Sequence, residues 1–250
     1  MLPPSVQSFI DAEIAANGTD YSDLRAVFLN GSLKRSPETS HTDALIDISA
    51  HILTGVGARV DVVRTVDHVI PPGVYPDMRD GGWRVDDFPD IYRELIQAHI
   101  LVLATPIWLG DQSSMTRLII ERLYGWSSNL NESGQWSYYG KTGGVLITGN
   151  EDGGKHCAAQ MLYALSHIGF SIPPQADAYW VGEAGPGPSY LDDNQGARNH
   201  WTTRNTVFAT WNLLHCARRL VDGGGVPAHG NRTTNWDLSD PEHPNPEYRA

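Results

Sequence analysis

Cysteine is scarce: Cys157 and Cys216 are the only two among 250 residues. A disulfide scaffold needs more, and so does a cysteine-held zinc or iron–sulfur centre. The ten histidines show no HExxH spacing, so no metal site is expected. Basic charge is also in deficit, with 18 Lys and Arg against 29 Asp and Glu, a formal net charge of −11. An acidic chain repels nucleic-acid phosphates and anionic lipid, so neither nucleic acid nor membrane is an expected partner. No apolar run reaches the roughly 18–20 residues that span a bilayer. The opening MLPPSVQSFIDAEIAANG has neither the basic start nor the apolar stretch of a secretory signal. The expected location is cytoplasmic.

Three further absences narrow the chemistry. Ser113-Ser114 and Ser166-His167 lack the nucleophile elbow of a serine hydrolase. Gly140-Lys141-Thr142 ends like a P-loop, but Gln135 stands where the first glycine is needed, and a strand follows instead of preceding it. No GxGxxG follows the first strand, which disfavours a dinucleotide held in the Rossmann manner.

What is present is a foldable chain, 40% hydrophobic and 19% charged, which excludes disorder throughout. Its length suggests one or two domains. The expected division is an N-terminal helical arm (1–23), a main domain (24–221) and a C-terminal tail (222–250). Short apolar runs at 24–32, 58–66, 99–107, 142–150 and within 170–182 read as strands. Helical spacing occupies 40–54, 89–97, 112–125, 153–169 and 200–221. Residues 67–88, rich in Pro, Gly and Asp, are too long for a plain connection and read as a functional excursion. Strands alternating with helices predict a doubly wound α/β domain, flavodoxin-like or Rossmann, with a five-stranded parallel sheet and helices on both faces. Such sheets bind ligands beyond the carboxyl ends of their strands.

Three loops at those ends carry chemistry. The first, Asn30 to Thr42, runs into the start of a helix and offers the hydroxyls of Ser32, Ser36, Thr39, Ser40 and Thr42 with Lys34, Arg35 and His41, a set suited to a phosphate monoester. A plain capped turn uses the same residue types. The second holds Pro106, Ile107, Trp108, Leu109 and Gly110, which suits a planar ring, although a tryptophan also packs in a core. The third holds Thr148, Gly149, Asn150, Glu151, Gly153 and Gly154, with main-chain N–H groups open at a helix start.

In this order the loops resemble the NAD(P)H-dependent FMN reductase and quinone reductase family of flavodoxin-like proteins. The resemblance rests on Gly31-Ser32 with Lys34 and Ser40-His41-Thr42, on Thr105-Pro106-Ile107-Trp108-Leu109-Gly110, and on the glycine-rich Thr148–Gly154. The Thr-Pro loop is its most specific part, and RSPE, inserted before Ser40, departs from the family pattern. The resemblance implies FMN, its phosphate at Ser32, Lys34, Ser40, His41 and Thr42, and its ring against 106–110 and 148–154. It implies hydride from NAD(P)H to FMN and onward to a quinone, flavin or other small-molecule electron acceptor. No catalytic side chain is identified. It implies a homodimer or homotetramer, with 67–88, 126–140 and the tail as segments that cross between subunits. Trp83, Trp126, Trp136 and Trp180 are candidates to line or cover the pocket. The alternative is a flavodoxin-like electron-transfer or FMN-binding module without NAD(P)H chemistry.

Overall fold

The computed structural model describes residues 2–183 and 187–234. The predicted tail beyond residue 234 lies outside the described residues. Five strands run parallel: β1 (Arg25–Asn30), β2 (Arg59–Arg64), β3 (Ile100–Trp108), β5 (Thr142–Thr148) and β6 (Asp177–Trp180), in the order β2-β1-β3-β5-β6. This is the flavodoxin-like order, with its switch point between β1 and β3. The two-residue strand β4 (Asp111–Gln112) is an addition to the expected sheet. It turns back antiparallel on the end of β3 and takes Gln112, expected to open a helix. Ser113 ends that turn, because its hydroxyl accepts from the Thr116 N–H and caps the helix that follows.

Strand periodicity divides the core. Val27 and Leu29 of β1 join Leu101, Leu103, Val145 and Ile147 on one face, under helices α3 (Phe88–Leu95), α4 (Ser114–Gly125) and α5 (Gly154–His167). Ala26 and Phe28 join Ile100, Val102 and Leu146 on the other, under α1 (Pro4–Ala16), α2 (His41–Gly55) and α7 (His200–Asp222). Successive side chains of a strand point to opposite faces, so a strand covered twice must be apolar throughout. The predicted arm is therefore a helix seated on that second layer, with Ile10 buried against α2.

The 67–88 excursion is fastened from beneath. Arg122 of α4 and Asp86, each with its side chain 0% exposed, form an ion pair at 2.6 Å. The same guanidinium donates to the Pro76 carbonyl (2.9 Å), and Asp86 accepts from the Met78 and Phe88 N–H groups. The described start of the tail folds back on its own chain, since the Gln135 side-chain amide donates to the Val226 carbonyl (3.1 Å) and to Asn231 Oδ1 (3.0 Å). The short helix α6 (Gln195–Arg198) precedes α7.

Candidate functional site

A cleft of about 240 Å³ opens at the carboxyl ends of β1, β3 and β5. Its first wall is the 30–42 loop, held by side chains that point away from the cleft. Asn30 Oδ1 accepts from the Ser32 N–H (2.9 Å), and Asn30 Nδ2 donates to Asp43. Asp43 also pairs with Arg64 at the end of β2, and Arg64 donates to the Glu38 carbonyl (2.7 Å). Gly31 is required here by space: a Cβ would lie 1.9 Å from Thr116 Oγ1. Its N–H and C=O instead reach the Ala104 carbonyl (2.7 Å) and the Ser113 hydroxyl (2.6 Å). The loop thereby presents Ser32, Lys34, Ser40, His41 and Thr42 together on the cleft.

Those five residues stand at the N-terminus of α2, where the first N–H groups have no intrahelical partner and the helix dipole is positive. Ser40 caps the helix through Asp43 N–H. Thr42 Oγ1 and Thr148 Oγ1 share a buried hydrogen bond at 2.9 Å, joining the helix start to the end of β5. Lys34 Nζ donates to the Thr39 carbonyl (3.3 Å) and stands 3.7 Å from Glu38. Burial, with the Lys34 charge beside it, holds the His41 imidazole below its ordinary pKa. His41 is therefore neutral near pH 7, and its Nδ1 accepts from the Leu191 N–H (3.2 Å), which leaves the other ring nitrogen as donor.

The opposite wall comes from Pro106, Ile107 and Trp108, with Thr148, Gly149 and Asn150 beside them. Leu109, Gly110, Glu151, Gly153 and Gly154, expected at the ring, do not line the cleft. They hold its rim. The Glu151 carboxylate accepts from the Leu109 N–H (2.7 Å), which ties the β3–β4 turn to the loop after β5. Gly153, at φ 132°, lets that loop pass so close to Gly110 that a Cβ would stand 2.5 Å from its carbonyl oxygen. A Cβ at Gly154 would meet the Tyr179 ring at 2.7 Å.

The fourth wall was not named in advance. Leu33, Ser189 and Tyr190 line the cleft as well. The segment after β6 is drawn over it by Gly187 N–H on the Asn150 carbonyl (3.0 Å) and Trp180 Nε1 on the Pro188 carbonyl (3.3 Å). It too leaves the carboxyl end of a strand, which is the signal that marks it. None of the four tryptophans considered for the pocket lines it. Trp126 stacks on Tyr92 (ring centroids 3.9 Å apart), Trp136 lies edge-on to Tyr139, Trp180 supports Tyr190 from the side, and Trp83 is exposed on the excursion.

Residues 24–184 match the NADPH-dependent FMN reductase family. The chain belongs to that family. A protein of Mycobacterium bovis named divalent metal cation transporter MntH is 58% identical over 207 residues, which are 82% of this chain and 30% of that protein. This chain thus spans under a third of that relative, and among the described residues no helix is long and apolar enough to cross a membrane. The 8-demethyl-8-aminoriboflavin-5'-phosphate synthase of Streptomyces davaonensis is 37% identical over 206 residues, 80% of this chain and 79% of that one. The solved structure of RosB with bound 8-demethyl-8-formylriboflavin-5'-phosphate superposes with a TM-score of 0.78 at 33% identity, covering 91% of this chain and 90% of that one. The NADH:FMN oxidoreductase EmoB, at 16% identity and TM-score 0.54, shares the fold over 84% of this chain and 94% of its own. This FMN reductase family member is a flavodoxin-like protein of a flavin-dependent oxidoreductase family.

Proposed function

We propose that this chain binds FMN in the cleft and passes hydride from NAD(P)H through it to a small acceptor such as a quinone or a free flavin. The observation that carries the reading is the meeting, in one cleft, of an anion-type end and an apolar end. Ser32, Ser40 and Thr42 hydroxyls, the Lys34 ammonium, the His41 ring donor and the start of α2 supply donors for a phosphate dianion. Pro106, Ile107 and Trp108 supply a flat apolar surface, and Thr148, Gly149 and Asn150 lie at its edge. That donor set and that wall fit a ribityl phosphate joined to a planar ring.

Bound there, FMN would supply the capacity to take up and release an electron pair. The chain's own part is positional. The α2 terminus and Lys34 anchor the phosphate, and Glu151 fixes the rim by holding the Leu109 N–H. The Ser189–Tyr190 segment limits water on the side facing α2. No side chain is assigned a proton-transfer role.

A second reading has its own support. The relatives at 37% and 33% identity carry names in which riboflavin phosphate modified at position 8 is product or intermediate. In that reading the flavin phosphate is the substrate, and its ring substituent is what changes. One experiment separates the two. FMN-loaded protein is mixed with NADPH or NADH under anaerobic conditions, and separately incubated in air with the flavin then recovered for mass analysis. Rapid bleaching with unchanged flavin mass supports hydride transfer. An altered flavin mass without bleaching supports the second reading. Failure of FMN to bind at all removes both.

For assembly we propose a homodimer or homotetramer. Val74, Tyr75, Trp83, Val85 and Tyr124 are large, apolar and exposed on the excursion and the adjoining end of α4, a surface of the kind that covers itself with another subunit.

A further inference from the structure

The loop that offers donors to an anion carries an anion of its own. Asp43 is the third residue of α2, and its N–H is the one that the Ser40 side chain accepts. A carboxylate in the first turn suits the helix dipole. It does not suit a phosphate dianion held by the same turn, because like charges repel, and more strongly where water is excluded. Lys34 alone does not restore the balance, since the Glu38 carboxylate stands 3.7 Å from its ammonium.

Arg64 restores it. The sheet register sets this last residue of β2 beside Asn30, where the first loop leaves β1. Its side chain is 14% exposed and pairs with Asp43. Its other terminal nitrogen donates to the carbonyls of Glu38 (2.7 Å) and Lys34 (3.4 Å). Asn30 Nδ2 donates to the second Asp43 oxygen. One guanidinium thus cancels the charge in the first turn of α2 and ties down both ends of the 34–38 stretch. Asp67 holds the middle of that stretch, accepting from the Ser36 N–H (3.0 Å) and hydroxyl (2.6 Å). Neither Arg64 nor Asp43 lines the cleft. Arginine suits the task because its planar fork serves a carboxylate and carbonyls at once, where a lysine offers a single point charge.

We propose that Arg64 is the positioning residue of the anion end of the cleft. By neutralising Asp43 and fixing the 34–38 backbone, it makes the site select a flavin that carries a phosphate over one that does not. It acts through Asp43 and the loop. The inference rests on the α2 terminus being a phosphate site, a reading shared by both functions proposed above.

The test is a fluorescence titration of the full chain with FMN, with riboflavin read by competition. It compares the parent with Arg64→Met, Arg64→Lys and the double variant Arg64→Met, Asp43→Asn. The parent is expected to prefer FMN. Arg64→Met should weaken FMN about tenfold or more and riboflavin less than about threefold. Arg64→Lys keeps the charge and loses the fork, so its FMN preference should fall between the two, and it carries the comparison if the methionine variant does not fold. Adding Asp43→Asn to Arg64→Met removes the repulsion and should recover part of the FMN affinity. A role in stability alone would weaken both flavins alike and leave the preference where it was. An FMN preference unchanged in the Arg64 variants, equal weakening of the two flavins, or no recovery in the double variant would each overturn the proposal. A parent without preference for FMN would overturn the phosphate reading and this inference with it, so the parent alone tells the two failures apart.

Discussion

One methyl group at position 31 would disturb the whole cleft. Gly31 lies where β1 becomes the first loop, and a Cβ there runs into Thr116 on α4. Gly31→Ala is expected to cost about 1–3 kcal/mol of stability by overpacking and to weaken FMN binding. Adding Thr116→Ala, which removes the colliding oxygen, should restore part of both in urea melts and flavin titrations. Equal losses in the single and double variants would sink this account. A second residue sets a pH dependence. Lys141 Nζ donates to the Ile96 (2.6 Å) and Ala98 (2.9 Å) carbonyls, and burial lowers its pKa from 10.5 to about 8. Between those two values the unfolded chain holds more protons than the folded one, so stability from this group rises with pH. Its penalty is fully present below the folded value. Urea midpoints should therefore climb between pH ~8 and ~9.5 in the parent and climb less in Lys141→Met. Identical slopes would show that Lys141 is not the cause.

At the scale of elements, the buried Arg122–Asp86 pair decides how firmly the excursion rests on α4. Arg122→Met leaves the Asp86 carboxylate buried and uncompensated, an expected loss of about 3–5 kcal/mol. Arg122→Met with Asp86→Asn removes the buried charge and keeps an acceptor for one of the Met78 and Phe88 N–H groups, which bond different oxygens of Asp86, so it should recover part of that loss. Limited proteolysis within 67–88 would report the same order. The β3–β4 turn makes a different prediction. Leu109 sits at φ 54° and is 96% exposed, so its side chain is held in a left-handed backbone with nothing packed on it. Leu109→Gly relieves that strain and should stabilise the fold by about 1 kcal/mol. A lower melting temperature would mean the leucine is doing structural duty elsewhere. Much of this level was legible in the sequence. Strands such as 99–107 announce themselves by an apolar run that ends at Pro106, and helix α2 by Ser40 ahead of spaced apolar residues. The Arg122–Asp86 pair was not legible, because an arginine on an amphipathic helix reads as a solvated charge until a distant loop is known to cover it. Trp126 misled for the related reason that an aromatic in a turn-rich stretch looks available, whereas Tyr92 from α3 comes to stack on it. The first loop could be assigned its polar residues, but not the Arg64–Asp43 brace, which joins elements 21 residues apart.

Across the whole molecule, two surfaces remain to be covered or explained. The exposed residues of the excursion predict self-association. A Tyr75→Glu, Trp83→Glu variant should lower the mass measured by light scattering relative to the parent, and a parent that is monomeric at assay concentration would end the proposal. The described start of the tail lies along its own chain through Gln135. Gln135→Leu removes donors to Val226, Pro227 and Asn231, so amide exchange over 226–234 should quicken without a change in mass. The five parallel strands and their order could be foreseen, since alternation of strand and helix leaves few topologies.

Three walls of the cleft grow from β1, β3 and β5, which are buried strands at the centre of the sheet, and each wall is braced by its neighbours. The fourth, Ser189–Tyr190, is held among the described residues by Gly187 N–H on the Asn150 carbonyl, Trp180 Nε1 on the Pro188 carbonyl, Leu191 N–H on His41 and the packing of the Tyr190 ring in the second core layer. Inheritance can therefore treat the two parts differently. Three walls are locked to the fold and must drift together or not at all. The fourth can be exchanged like a blade in a handle, so descendants of one flavodoxin-like ancestor are free to diversify what they admit by rewriting the segment between β6 and α7.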